Sequence, residues 1–546
     1  MTKAQFDTLK KWIADMASLI EKNIDPEPEH FISFLNEPEL ALEMIQLIDS
    51  LDDEDTDEER PYYSSCIFAI DICVAQLQSA VEAGNKLAGK TLNQLMSNMA
   101  KAINSGKHSL SFWLPVLNAF YDVHVELSDE LRDAYLELAG QDEELTFDDE
   151  IDHLEAMRSM IAELSDLSHF DIAENFFAQS HAMPADFFPD LIVDLYSIEE
   201  GQDIALLALL HPKPEVREMV IATLEQLMDT IVLSSVSLSR LQIIQSWYPA
   251  LYQSQFSRWI KLQRMKGVVF NKSKAAPIVQ IKASEVDGSG AQGLFIHIKQ
   301  GRNNRLCGLL YKFGLGIKDA WVTPPMSVAD VKKYYNDAFD ESVTLREVDT
   351  EYLVLITEHF LAITIKQGSM PDLHLLEMQE LMGIHFAPNP LDINATIQSL
   401  SIQITPFTQE TMELSFKRSK SWLNNKRFTE SWYIENAHVD KLVNRCSSFV
   451  EGVKVCVIED AINEVFTHEM ELHRDKWLFH FLWITLWLKA HTRKNEKIWQ
   501  DSFFIAYAIH TKRPLKSIPV LQEISHQTVI NSIETMNERR THLNQE

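Results

Sequence analysis

Residues 277–325 constrain the fold most, because there the chain stops reading as helix. Four short runs rich in β-branched and apolar residues cover 278–286, 294–299, 305–313 and 317–323. Between them stand Asp287-Gly-Ser-Gly, Gln300-Gly-Arg-Asn-Asn and Gly314-Leu-Gly, turn chemistries that suit successive hairpins. In the second run Leu294, Ile296 and Ile298 fall on one side, and Phe295, His297 and Lys299 on the other. A period of two is that of a half-buried strand. The stretch predicts a small antiparallel β-meander between two helical regions.

Elsewhere the apolar periodicity is helical. Helices are predicted over 62–83, 87–103, 110–123, 129–138, 149–164, 171–180, 184–196, 203–210, 215–228 and 237–245. After the meander they are predicted over 328–339, 345–365, 373–382, 411–423, 436–449, 458–472, 477–490, 500–509 and 520–536. Short connections make neighbours antiparallel, the construction of bundles and α-solenoids. The expected organisation is mostly α. An acidic helical array spans 1–265, a meander with helices spans 266–386, and a helical domain spans 387–546, with Ala387-Pro-Asn-Pro at the second boundary.

Charge divides the chain further. The net charge is −31, yet residues 1–250 hold 14 Lys and Arg against 47 Asp and Glu, while the remainder holds 35 against 33. Seven of the eight residues 52–59 are acidic, which predicts an exposed loop. Such a field repels nucleic acid and anionic membrane and favours a basic partner. Five cysteines without a CxxC pair read as buried thiols of a reducing compartment. The N-terminal amphipathic pattern (Phe6, Leu9, Trp12, Ile13, Met16) is not that of a signal peptide. The apolar run 477–488 is too short to span a bilayer. A cytoplasmic protein without a membrane partner is expected.

One segment carries a family likeness. Residues 204–228 read IALLALLHPKPEVREMVIATLEQLM: an apolar helix, a turn with Pro212 and Pro214, then Val216-Arg217 opening a helix whose Val220 and Leu224 face inward. This resembles a HEAT-type repeat, with His211 where that pattern usually has Asp. The resemblance covers about 25 residues and implies a helical-hairpin array with an interaction surface.

Three constellations are candidates for chemistry. Gly84, Gly89, Lys90 and Thr91 fit the phosphate-loop pattern GxxxxGK[ST], in which backbone amides cradle phosphates and the lysine and hydroxyl reach phosphate and magnesium. That loop needs a preceding buried strand, whereas residues 75–83 are helix-forming; a helix–turn–helix with Gly84 as C-cap fits the same letters. Asp460, Glu464, His468 and Glu471 share one helical face and could ligate a metal, or form the wet side of an amphipathic helix. Residues 253–318 hold 12 Lys and Arg against Glu285 and Asp287. The block includes Arg258, Lys261, Arg264, Lys266, Lys272, Lys274, Arg302, Arg305, Lys312 and Lys318. With Phe295, Tyr311 and Trp321 it could stack and neutralise single-stranded nucleic acid, or it could dock on the acidic half or on an acidic partner protein.

No dinucleotide fingerprint, nucleophile elbow or Cys–His pairing at a recognisable spacing is present. The sequence therefore reads first as a non-enzymatic interaction scaffold with an acidic helical surface and no cofactor. The second reading is a nucleic-acid-associated protein using the basic meander. The third is a nucleotide-binding enzyme using the GNKLAGKT segment.

Overall fold

The computed structural model describes residues 3–22, 24, 28–51, 60–82, 85–146, 153–271, 275–338, 343–424, 431–450, 453–490 and 498–543. The protein is mostly helical, with a five-stranded antiparallel sheet and a helical C-terminal region, as the sequence predicts. It divides into two compact units, Met1–Leu227 and Met228–Glu546; the positions 265 and 386 both lie inside the second.

The first unit is built from α1 (Lys3–Glu21), α2 (Pro28–Asn36), α3 (Ala41–Asp49), α4 (Arg60–Glu82), α5 (Lys86–Ile103), α6 (Leu110–Asp122), α7 (Asp129–Thr146), α8 (His153–Glu163), α9 (His169–Gln179), α10 (Phe188–Ser197), α11 (Gln202–Ala205) and α12 (Pro214–Leu227). Its centre is α4, which packs on α1, α3, α5 and α6. Cys66, Ala69, Ile70, Cys73, Val74 and Leu77 recur at helical spacing and form one buried stripe. Among the described residues α4 alone is long and apolar enough to cross a membrane. That stripe is packed into the core of the unit, beside Trp113 and Phe120 of α6. Truncating either aromatic to alanine would cost roughly 3–5 kcal/mol.

The segment resembling a HEAT repeat departs from a regular helical hairpin. The helix expected over 203–210 is only the single turn α11, continued as a tighter 3-10 run over Leu206–Leu210 whose five side chains are all buried. The next turn is fixed by His211. Its ring sits edge-on to Phe177 and Phe188, 4.8 Å from each, and its Nδ1 accepts the Lys213 N–H at 3.1 Å. Arg217, one turn into α12, donates to the His211 and Pro212 carbonyls at 2.7 Å each. The imidazole thus supplies the acceptor at the helix start that a carboxylate would otherwise supply.

The second unit opens with the hairpin α13 (Ser235–Trp247) and α14 (Ala250–Met265). Fully buried Gln263 ties it down, donating to Met228 O and Ile231 O and accepting from Leu233 N. Next comes the sheet: β1 (Ile278–Ser284), β2 (Ala291–Gln300), β3 (Asn303–Lys312), β4 (Gly316–Val322) and β5 (Leu345–Glu347), in the order β4-β3-β2-β1-β5. The four predicted runs match β1 to β4. The fifth strand corrects the helix expected over 345–365: Asp349 caps Tyr352 N at 2.8 Å and starts α16 (Thr350–Lys366) late, leaving Leu345–Glu347 to pair with β1. Because β4 and β5 run in the same direction at opposite edges, their connection must cross the sheet. That crossover carries α15 (Val328–Ala338).

One face of the sheet is core. Ile281, Ala283, Leu294, Ile296, Ile298, Cys307, Leu309 and Tyr311 are buried, as the alternation in β2 predicts. Tyr311 stacks on Phe360 of α16 with centroids 5.0 Å apart, and its hydroxyl pairs with Thr357 Oγ1 at 2.7 Å. The other face carries a cross-strand row of Lys282, Phe295, Gly308 and Trp321. Glycine is required in that row, since a Cβ at position 308 would come within 2.1 Å of the Trp321 ring.

The remaining helices are α17 (Leu373–Met382), α18 (Ile393–Ile402), α19 (Gln409–Ser419), α20 (Ala437–Arg445), α21 (Ile458–Val465), α22 (Arg474–Lys489), α23 (Trp499–His510) and α24 (Pro519–Leu543). The run 477–488 is a buried stretch of α22, and its Trp483 indole donates to Gln292 Oε1 on β2 at 3.0 Å. Arg474 at the start of α22 donates to the Ile509 and Arg513 carbonyls at the end of α23, so the two helices run antiparallel. The helix expected over 436–449 stops at Arg445. The chain then forms a two-stranded hairpin, β6 (Ser447–Val450) and β7 (Val453–Cys456), a β-branched pattern around Glu451-Gly452 that helical periodicity obscures.

Candidate functional site

The phosphate-loop letters do not lie in a strand-to-helix loop. Gly89, Lys90 and Thr91 are in the opening turns of α5, after helix α4, while Gly84 lies outside the described residues. Asn85 caps α5, its side chain accepting from Leu87 N and Ala88 N, and Thr91 Oγ1 donates to Leu87 O at 3.2 Å. Those amides and that hydroxyl, which would cradle phosphate and magnesium in a phosphate loop, are occupied by the helix itself.

The acidic stripe over 458–472 is broken by a π turn at Phe466–Met470. One extra residue in that turn shifts the later side chains off the expected face. His468 remains beside Glu464 at 3.5 Å, but Glu471 turns to Arg474 at 2.6 Å and accepts Leu515 N at 3.0 Å. Asp460 is exposed in the first turn of α21, and Leu472 is 72% exposed. Among the described residues no three His, Cys, Asp or Glu side chains are grouped to hold a metal.

The basic block does not form one surface. Arg258, Lys261 and Arg264 form an exposed stripe on α14, and Lys266 donates instead to the Met228, Asp229 and Ile231 carbonyls. Arg302 is exposed at the β2–β3 turn, while Lys312, half-buried at the other end of β3, donates to Ser289 Oγ. A strand of that length separates them by about 30 Å. Lys318 is half-buried on β4, and Lys272 and Lys274 lie outside the described residues, as does the acidic run 52–59. Two expected surface groups turn inward. Tyr311 is in the core, and Arg305 is nearly buried, its Nη1 3.0 Å from Glu377 Oε1 and its Nε donating to Thr323 O at 2.7 Å. Trp321 and Phe295 do share the other face, but Tyr334 of α15 meets Trp321 at 5.7 Å, and Tyr335 meets the Lys282 ammonium at 3.7 Å. The aromatic row is therefore partly covered by the chain's own tyrosines.

Arg305 leads to a charged hub that sequence reading missed. Glu377 of α17 also accepts from His374 Nδ1 at 2.9 Å, and Glu380 on the same helix holds Arg240 of α13 by two bonds of 2.7 and 3.1 Å. Desolvated charges persist where they are paired with good geometry, and here the pairs fasten α13 and β3 to one helix. The visible signal is acids and a histidine within a run otherwise made of Leu and Met, over 373–382.

A second missed feature lies in the first unit. Asp71 interrupts the buried-stripe helix α4, and burial first, then the neighbouring Asp122 carboxylate, push it up to about 7. Asp122, at the end of α6, is itself pushed up to about 6 by desolvation and by Glu174 of α9. Neither Asp71 nor Asp122 forms an ion pair with a basic side chain among the described residues. Burial, with carboxylates from three helices brought near one another, raises Asp71 and Asp122.

The fold thus defines a class: a two-unit helical protein with a five-stranded sheet inserted in its second unit. Residues 184–267, from before α10 to just after α14, match the family model of the Y4lR second domain. Residues 394–533, from α18 into α24, match that of the Y4lR C-terminal helical domain. A curated relative, the uncharacterized protein y4lR of Sinorhizobium fredii (strain NBRC 101917 / NGR234), is 28% identical over 298 residues, 53% of this chain and 55% of the relative. The chain thus spans about half the length of that relative. No solved structure matches.

Proposed function

We propose that the chain is a non-enzymatic, cytoplasmic interaction scaffold whose acidic helical unit docks a basic protein partner. The observation that carries this reading is the junction of α4, α6 and α9, where Asp71 and Asp122, both with raised proton affinity, lie near one another and near Glu174. The surrounding unit, Met1–Leu227, holds 13 Lys and Arg against 46 Asp and Glu. A cationic side chain seated at the junction would supply counter-charge to Asp71 and Asp122, and perturbed groups of this kind concentrate at functional sites. In this reading residues 204–228 are one HEAT-like element of the array, and the five free thiols fit a reducing compartment. The basic stripe on α14 and the half-covered aromatic row serve contacts within protein assemblies.

The test is binding of a fluorescent Lys/Arg-rich peptide to the full chain, followed by anisotropy between pH 5.5 and 8. Asp71 and Asp122 lose protons across this window, so affinity rises with pH in the native chain, and Asp71→Asn/Asp122→Asn flattens the rise. A pH profile unchanged by the double substitution would remove the junction from the account.

A further inference from the structure

The two sides of α14 differ in kind. Phe256, Trp259 and Gln263 recur at helical spacing and are buried, with Phe256 lying on Tyr248 at a centroid distance of 4.8 Å. On the opposite side Leu251, Arg258 and Met265 follow one another at heptad spacing, so they form one line along the helix, with Ser254 and Lys261 between them. All five are exposed, Leu251 and Met265 to 79% and 75%. These two apolar ends stand about 21 Å apart, four helical turns. The end at Met265 is widened by Val269, 67% exposed, and by Val232, 57% exposed. The loop carrying Val232 is fastened to that end of the helix, where Lys266 donates to Ile231 O at 2.6 Å and Leu233 N donates to Gln263 Oε1 at 3.0 Å. The helix contains no acidic residue. Arg264 stacks over Phe270 at 5.5 Å, beside the line rather than on it.

Large apolar side chains exposed to this degree mark an interaction surface when they are grouped and rimmed by charge. A heptad line that is apolar at both ends and cationic in the middle is one half of a helix pair. Its apolar positions pack on apolar positions of the partner, and its charges select opposite charges. We propose that this face of α14 docks an acidic amphipathic helix of a partner protein, one with apolar residues about four turns apart and Asp or Glu between them. Leu251 takes one apolar end, the step formed by Met265, Val269 and Val232 takes the other, and Arg258 and Lys261 take the carboxylates. A phosphate backbone satisfies the two cations but leaves both apolar ends in water. An anionic membrane, or a second copy of this chain, is repelled by the net charge of −31. The proposal rests on the scaffold reading only for the premise that the chain binds proteins, and it adds a surface of sign opposite to that of the acidic unit.

The probe is a labelled synthetic helical peptide with two leucines about four turns apart and glutamates between them, titrated with the full chain at about 0.05 M salt and followed by anisotropy. The expected result is saturable binding that weakens at least about tenfold with Arg258→Glu/Lys261→Glu and, separately, with Leu251→Ser/Met265→Ser. Both pairs lie on the exposed side of the helix, so the variants keep the melting temperature of the native chain. Asp71→Asn/Asp122→Asn leaves this binding intact, and the Lys/Arg-rich peptide of the acidic junction is indifferent to the α14 substitutions, so the two readings fail separately. No binding of the acidic peptide, binding that survives either pair of α14 substitutions, or a single-stranded oligonucleotide bound in preference to the peptide and lost with Arg258→Glu/Lys261→Glu would each overturn the proposal.

Discussion

Glu377→Gln tests the charged hub, and its effect can be worked out from the geometry. The substitution keeps the shape of the side chain but removes the charge that faces Arg305 at 3.0 Å and His374 at 2.9 Å. The Arg305 and Glu377 side chains are only 11% and 5% exposed, so the guanidinium cannot recover solvation in place. Removing one partner of such a pair typically costs roughly 3–5 kcal/mol. The lower end applies here, about 3 kcal/mol, because Arg305 keeps its bond to Thr323 O and the new amide still offers an acceptor. Arg305→Met should cost a similar amount alone, since it strands the carboxylate. The double substitution should lose little more than either single one, giving a coupling of about 2–3 kcal/mol in a double-mutant cycle. Urea unfolding of the full chain, followed through tryptophan emission and analysed for the transition of the second unit, measures these differences. In a melt, each kcal/mol corresponds to roughly 1.5 °C for a unit of this size. Additive single effects, or a shift below about 0.5 kcal/mol for Glu377→Gln, would refute the reasoning.

Other outcomes rest on single contacts. Asp71→Asn should stabilise the first unit at pH 8, by about 1–2 kcal/mol after allowance for partial exposure. The folded carboxyl holds its proton to about 7, so the native chain loses stability as pH rises from about 4 through 7, and the variant should not; melts at stepped pH decide this. His181 and His211 act in the opposite sense, because burial, aided by Lys213, lowers them to about 4 and about 3. Their contribution is complete above about 6.5 and lost as pH falls toward 4, so the Asp71→Asn chain should show a steeper acid-side loss than the native one. Gly308→Ala should displace Trp321, lowering stability by roughly 2 kcal/mol and shifting tryptophan emission. Lys90→Ala, on the exposed side of α5, should change stability by less than about 0.5 kcal/mol and leave magnesium–ATP binding undetectable by calorimetry, as before the change.

Features decided by local pattern were legible in the sequence. The alternation of Leu294, Ile296 and Ile298 against Phe295, His297 and Lys299 placed β2 and its core face, and glycine-rich punctuation placed the hairpins. Helical stripes placed most helices within a few residues. Long-range pairing was not legible. Leu345–Glu347 looks like the start of an apolar helix until β1 is there to pair with it, and β6–β7 lay across the predicted end of a helix. Charge counting failed for a related reason. Arg305 counts as basic surface in a composition window, yet the alternation that puts Leu306 on one face puts Arg305 on the face that meets Glu377, seventy-two residues further on. The crowding of Asp71, Asp122 and Glu174 likewise joins three helices that are far apart in the chain.

The scaffold reading is tested most directly by retrieving the molecules that the full chain binds. Immobilised protein is incubated with native cytosol at about 0.05 and 0.5 M salt, with and without nuclease, beside the Asp71→Asn/Asp122→Asn variant. At physiological ionic strength charges are screened beyond about 8 Å, so only directly docked faces contribute and the complex should dissociate as salt rises. The predicted result is a basic protein retained at low salt, released at high salt, indifferent to nuclease and depleted on the variant. Retention that vanishes with nuclease and is unaffected by the two substitutions would contradict the account and assign the chain to nucleic acid instead.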